Sequence, residues 1–259
     1  IVGGGPAGMQ AALVAAERGH RVTLFEKRTR LGGLANIAAL PPHKDLYAVL
    51  VNRFSERLIA SGVKVFLGTT PSVADLAELK PDTLIVATGS VPVIPRFCEG
   101  IANAVTAEDI LTGKAKAGQR VLVVGGGMVG SETAEYLAAQ GRSVTVVEML
   151  PQLAKDMEWC ARVLLLRRMA SLGIKLRSGN EILSIGAGNA VTVRNEKGRE
   201  ETLSGFDTLV VAVGCRPDNA LSDGLSAALD CPCVAVGDCR KTAKIMDAVH
   251  SGFEAALTL

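Results

Sequence analysis

A shift of 122 positions lays this sequence on itself. Val2-Gly3-Gly4-Gly5 falls on Val124-Gly125-Gly126-Gly127, Gly8 on Gly130, Gly19 on Gly141, Val22-Thr23 on Val144-Thr145, and Glu26 on Glu148. The chain therefore holds two copies of one unit. Each copy reads as a strand, a G-x-G-x-x-G turn, a helix, a glycine, a second strand and a terminal acid, the spacing of a dinucleotide-binding βαβ motif. One such turn occurs in unrelated α/β proteins, but two copies, each with an acid 18 residues after the last glycine, are specific.

Each glycine of the turn has a physical task. Gly3 and Gly125 let the backbone bend sharply, Gly5 and Gly127 let it approach a pyrophosphate, and Gly8 and Gly130 bring helix and strand close together. A pyrophosphate then rests on the free N–H groups and positive dipole end of the helix that follows, beside Pro6 and Ala7 in one copy and Met128 and Val129 in the other. Glu26, next to Lys27, and Glu148 end the second strands, where a carboxylate accepts hydrogen bonds from the hydroxyls of an adenosine ribose and repels a 2′-phosphate.

The chain between and after the copies sets the domain order. An amphipathic helix is expected over Asp45 to Ser61, a strand over Val63 to Phe66, and an apolar strand ending Ala87-Thr88-Gly89, after which Pro92 and Pro95 mark a link into a second domain. The second copy runs on through a helix from about Asp156 to Leu172, short β segments at 181–185, 191–194 and 201–203, and a strand ending at Gly214. A strand over Val234 to Asp238 and a helix from about Lys244 close the chain. The expected architecture is α/β: two Rossmann-like dinucleotide-binding domains, one over residues 1–103 and 217–259 and split around the other, over 104–216.

Composition narrows the function classes. With 28 Lys and Arg against 26 Asp and Glu, and 3% aromatic residues, the chain lacks the basic stripe and stacking platforms that nucleic acid requires. No apolar run reaches the roughly 18 residues that span a bilayer, so no membrane partner is expected. The 28 glycines and 48% hydrophobic content instead suit parallel strands buried on both faces. None of the six cysteines forms a C-x-x-C pair, and they read as small buried hydrophobes of a reducing, cytoplasmic setting. His20 and His43 read as solvated polar residues and His250 as helix surface or packing. The first strand begins with only Ile1-Val2 before its turn, so by comparison with the second copy at least three residues equivalent to 120–122 are expected upstream.

The order of motifs resembles that of the two-dinucleotide-binding flavoproteins: a FAD fingerprint, an A-T-G strand, an NAD fingerprint, a second such strand and a late Gly237-Asp238. Two stretches, Leu31-Gly32-Gly33-Leu34 through Lys44 and Gly237-Asp238-Cys239 through Ala256, are similar to the C-terminal half of the 2,4-dienoyl-CoA reductase, enoate reductase and trimethylamine dehydrogenase group. The resemblance implies that Gly3, Gly5 and Gly8 hold the FAD pyrophosphate and Glu26 its ribose. It places Gly33 and Ala87-Thr88-Gly89 around the flavin and Asp238 at the ribityl or pyrophosphate end. Gly125, Gly127, Gly130 and Glu148 take NADH, with Gly214 on the nicotinamide side. Met149 and Leu150 follow Glu148 where an NADPH enzyme tends to place arginines, which favours NADH over NADPH.

In those relatives FMN, an iron-sulfur cluster and the substrate-reducing residues belong to an N-terminal TIM barrel, so the resemblance implies an electron-input module whose acceptor lies in such a barrel. No catalytic acid, base or metal ligand is assigned. The stretch after Gly32-Gly33 contains no cysteine, which argues against disulfide reduction and against a single-cysteine peroxide-reducing oxidase. A stand-alone flavin NADH oxidoreductase, a ferredoxin-type reductase, a flavin monooxygenase and a non-catalytic dinucleotide sensor stay open.

Overall fold

A computed structural model describes residues 1–221, 225 and 229–259. It divides into two compact units: Ile1–Ala39 with Lys44–Val91 and Cys215–Leu259, and Leu40–His43 with Pro92–Gly214.

In the first unit Val2 bridges two strand pairs, lying parallel to Phe25 on one side and Val86 on the other. Thr23–Glu26 pairs in turn with Lys64–Leu67, and Leu84–Val86 with Cys233–Ala235, all parallel. Val2 donates to Ile85 O and accepts from Ala87 N–H, while Gly3 N–H bonds Phe25 O, so two residues complete the central position of a five-membered ladder. The helix Pro6–Glu17 covers one face. Its Ala7, Ala11, Ala12, Ala15 and Leu13 are buried, and small side chains let a second helix, Ile245–Leu257, come so near that a Cβ on Gly252 would stand 2.1 Å from Ala7 O. Leu13 and Met9 pack with Leu24, Phe54 and Leu58, the last two from the helix Asp45–Ala60. Alternate strand residues Val2, Leu84 and Val86 face the other way, onto Leu76 and Leu225.

The second unit repeats this order without gaps. Lys175–Arg177, Ser143–Val147, Arg120–Val124, Thr208–Val211 and Ala104–Thr106 lie side by side and parallel. Val121, Leu122 and Val123 are fully buried, as strands covered on both faces must be. The helices Met128–Ala139 and Trp159–Ser171 pack on one face through Leu137, Leu165 and Met169. On the other, a three-stranded antiparallel sheet, Glu200–Leu203, Val191–Asn195 and Asn180–Ile185, contributes Val191 and Val193 to Leu122, Val124 and Leu209. Burying aliphatic side chains of this kind stabilises by about 1.5–3 kcal/mol each.

Two elements are shorter than the sequence pattern suggests. The helix expected from Asp156 starts at Trp159, because the Glu158 side chain accepts from Cys160 and Ala161 N–H at 2.9 and 3.2 Å and caps it there. The strand expected to reach Asp238 ends at Ala235, because Gly237 takes φ +66° and opens a 3₁₀ turn over Gly237–Cys239.

Candidate functional site: two glycine turns

The first turn is shaped by backbone contact. A Cβ on Gly3 would meet Ala87 O at 2.2 Å, and one on Gly8 would meet Gly3 O at 1.9 Å, so strand, turn and helix are in direct backbone apposition. Gly5 differs: its φ of −75° suits any residue, and a Cβ there would have nothing within 4 Å. Packing does not explain that glycine. What it leaves clear is the space above the N-terminus of Pro6–Glu17, a helix with no side-chain cap and no acid in its first turn. Such an end attracts an anion. Gly33 closes in from the side, where its Cβ would lie 3.0 Å from Gly5 Cα.

The second turn has the same construction. A Cβ on Gly125 would meet Ala212 O at 2.6 Å and one on Gly130 would meet Gly125 O at 2.0 Å. At Gly127, again with an ordinary φ of −65°, a Cβ would find only the Asp156 carboxylate oxygens, both at 3.8 Å. Val129 is exposed, and Met128 N–H donates to Asp156 Oδ1 at 2.9 Å.

The two acids are buried, at 4% and 8% exposure for Glu26 and Glu148. Each is tied down identically: Glu26 Oε2 accepts from Gly4 N–H and Oε1 from Arg28 N–H, and Glu148 Oε2 accepts from Gly126 N–H and Oε1 from Leu150 N–H, all at 2.7 Å. The sequence reading gave these carboxylates to a ribose alone. The structure adds a second task, holding the middle glycine of the turn to the end of the second strand. A carboxylate oxygen has two acceptor sites, so capacity for ribose hydroxyls remains.

In the first unit Asp238 Oδ2 accepts from Ser90 Oγ at 3.0 Å and its Oδ1 from Ala243 N–H at 3.1 Å. Thr88 Oγ1 donates to Asp218 O at 2.6 Å, and Lys27 forms an exposed ion pair with Asp218 at 3.7 Å. Gly237 lies against Ala7, 2.8 Å from its Cβ to a Cβ placed there. Gly89 and Gly214, at φ +83° and +112°, both border open space. Ser90, Gly4, Gly126 and Asp156 were missed. The two glycines were detectable, since they match each other in the repeat.

The cysteines form no disulfide. Burial pushes the Cys98 thiol up to about 11, and Cys233 Sγ donates to Cys231 O at 3.6 Å. Mass-resolved alkylation of the native protein should therefore label exposed Cys160 and Cys215 first, with buried Cys98 and Cys239 reacting only after denaturation. Early labelling of Cys98 would contradict that burial. Among the described residues no helix is long and apolar enough to cross a membrane, and no group of three or more His, Cys, Asp or Glu residues could hold a metal ion.

Known proteins resemble this chain over almost its whole length. Over 264 residues, 99% of the chain, it is 40% identical to an NADH oxidase of Thermoanaerobacter brockii, and it is 35% identical over 99% of its length to a cinnamate reductase of Clostridium sporogenes. It spans about two fifths of each of those proteins, 40% and 38%. A solved 2-naphthoyl-CoA reductase matches all of the chain with a TM-score of 0.94 at 31% identity, again over 39% of its own length. The family model described as pyridine nucleotide-disulphide oxidoreductase matches residues 1–252, and the chain belongs to that family of oxidoreductases.

Proposed function

We propose that residues 1–103 and 217–259 hold FAD, that residues 104–216 take NAD(H), and that the chain is the electron-input part of a longer reductase. The observation that carries this reading is the pair Gly5 and Gly127. Neither glycine is demanded by its own φ or by a protein neighbour closer than 3.8 Å; Gly5 keeps clear an uncapped helix N-terminus beside a fixed carboxylate, and Gly127 repeats that geometry with the Asp156 carboxylate on Met128 N–H. Two such cradles in one chain fit two dinucleotides.

FAD, when bound, supplies hydride acceptance from a reduced nicotinamide and onward release of electrons. The chain's own residues do the holding. The N–H groups at the start of Pro6–Glu17 and Met128–Ala139 receive pyrophosphate, and Glu26 and Glu148 accept from ribose hydroxyls. Asp238, steadied by Ser90, would accept from a ribityl hydroxyl; Ala87, Thr88 and Gly89 would offer backbone to the flavin, and Gly214 to the nicotinamide side of the second unit's ligand. Hydride transfer needs orientation and exclusion of water more than acid-base equipment. The acceptor then belongs to the rest of the longer polypeptide, in a barrel carrying FMN and an iron-sulfur cluster. Glu148, followed by exposed Met149 and Leu150 rather than by arginines, favours NADH over NADPH.

The test is anaerobic. FAD-loaded chain mixed with NADH should lose its flavin absorbance and regain it on adding ferricyanide but not on adding an enoyl thioester. Reoxidation by the thioester would place a substrate site within this chain. Absence of bleaching would mark a dinucleotide sensor.

A further inference from the structure

The segments that buttress the two turns correspond residue for residue under the same shift of 122. Leu31 and Leu153 lie beneath the middle glycines, their Cδ2 atoms 2.6 and 2.9 Å from a Cβ placed on Gly4 and Gly126. Gly32 N–H donates to Gly4 O, and Ala154 N–H to Gly126 O, both at 2.7 Å. Both residues take positive φ, +108° for Gly32 and +47° for Ala154. Ala154 is fully buried and held in a conformation that an alanine rarely adopts, so the segment is fixed in place.

Two residues further on, the copies differ. The first has Leu34, which carries no charge, and its turn helix has no side-chain cap. The second has Asp156, whose carboxylate bonds Met128 N–H at 2.9 Å and sits 3.8 Å from the place a Cβ on Gly127 would occupy. One helix N-terminus is thus open to an anion, and its counterpart already holds one supplied by the chain.

We infer that Asp156 competes with the dinucleotide pyrophosphate for the second turn and so weakens NAD(H) binding, making that site exchangeable while the first retains its ligand. This rests on the reading that the second turn takes NAD(H). A bound pyrophosphate must displace the Asp156 carboxylate from Met128 N–H or sit beside it at like charge, and either lowers affinity. Leu34 imposes no such penalty on the first turn. A resident cofactor gains from tight binding, whereas a reductant that enters and leaves in every turnover is served by quick release, a step that commonly limits turnover.

The experiment uses the FAD-loaded protein and its Asp156→Asn and Asp156→Ala variants, titrated calorimetrically with ADP-ribose, with adenosine as the probe lacking pyrophosphate. Asp156→Asn removes the charge and keeps an oxygen for Met128 N–H. It should bind ADP-ribose about five- to tenfold more tightly, the scale of one like-charge contact near the surface, and release NADH correspondingly more slowly in stopped flow. Adenosine affinity and FAD content should not change. Leu34→Asp, the reciprocal substitution, should loosen FAD. Unchanged or weaker ADP-ribose binding in both Asp156 variants, with melting temperatures equal to that of the parent, would overturn the inference and leave Asp156 as a cap only. If ADP-ribose binds to neither parent nor variant, the reading of the second turn fails and takes this inference with it.

Discussion

Gly5→Ala should yield a folded protein that no longer retains flavin, whereas Gly8→Ala, three residues away, should damage the fold itself. The two positions carry the same residue type for different reasons. A Cβ on Gly5 meets nothing within 4 Å and its φ is ordinary, so the only thing the methyl group can displace is a ligand. A Cβ on Gly8 lands 1.9 Å from Gly3 O and 3.2 Å from the Ala87 methyl, and a backbone carbonyl in the central strand cannot move aside as a flexible side chain would. Overpacking against backbone costs about 3 kcal/mol, which for a chain of this size lowers the melting temperature by roughly 6–12 °C. The measurement is flavin absorbance after gel filtration beside a thermal melt of each variant. Gly5→Ala with full flavin content would refute the cradle. Gly8→Ala with an unchanged melt would refute the close approach of helix and strand.

Glu148→Ala should be costly twice over. It leaves the N–H groups of Gly126 and Leu150 without the carboxylate that both bond at 2.7 Å; Leu150 is exposed and its N–H can turn to water, but the buried Gly126 donor left unsatisfied costs about 1–3 kcal/mol. A drop of roughly 2–12 °C in melting temperature follows from the Gly126 donor alone. It also removes two acceptors for ribose hydroxyls and the repulsion of a 2′-phosphate, so NADH should weaken while NADPH gains relative to it. Glu148→Gln separates the two effects only in part: its oxygen replaces one acceptor, but its NH₂ faces the other N–H donor. An unchanged NADH-to-NADPH ratio of kcat/KM in Glu148→Ala would remove the ribose role and leave the structural one. An unchanged melt would remove the structural one.

The repeat was legible because the turn glycines answer to steric rules that act within a few residues: Gly3 before a bend, Gly8 against its own turn. Strand identity followed as well, since runs such as Val121–Val124 are apolar throughout only when both faces are covered. The bonds from Glu26 to Gly4 and from Glu148 to Gly126 were not legible, because each links residues 22 apart through a side chain that the motif assigns to a ligand. Asp156 was hidden for a related reason. Its spacing continues the amphipathic pattern of the helix that follows, and nothing local reveals that Glu158 wins the capping position and leaves Asp156 to the N-terminus of a different helix.

The two sheets share one strand order but draw their last member from opposite ends of the chain. In the second unit, Ala104–Thr106 precedes the strands it flanks, so that sheet is complete once residue 211 has left the ribosome. In the first, Leu84–Val86 waits for Cys233–Ala235, whose arrival lies beyond the whole of the other unit. The earlier-synthesised half therefore has an unpaired edge until that strand is made, and bringing Cys233–Ala235 back to Leu84–Val86 closes a loop whose entropic cost grows only logarithmically with its length. Vectorial synthesis thus completes the split unit only after the unit inserted into it.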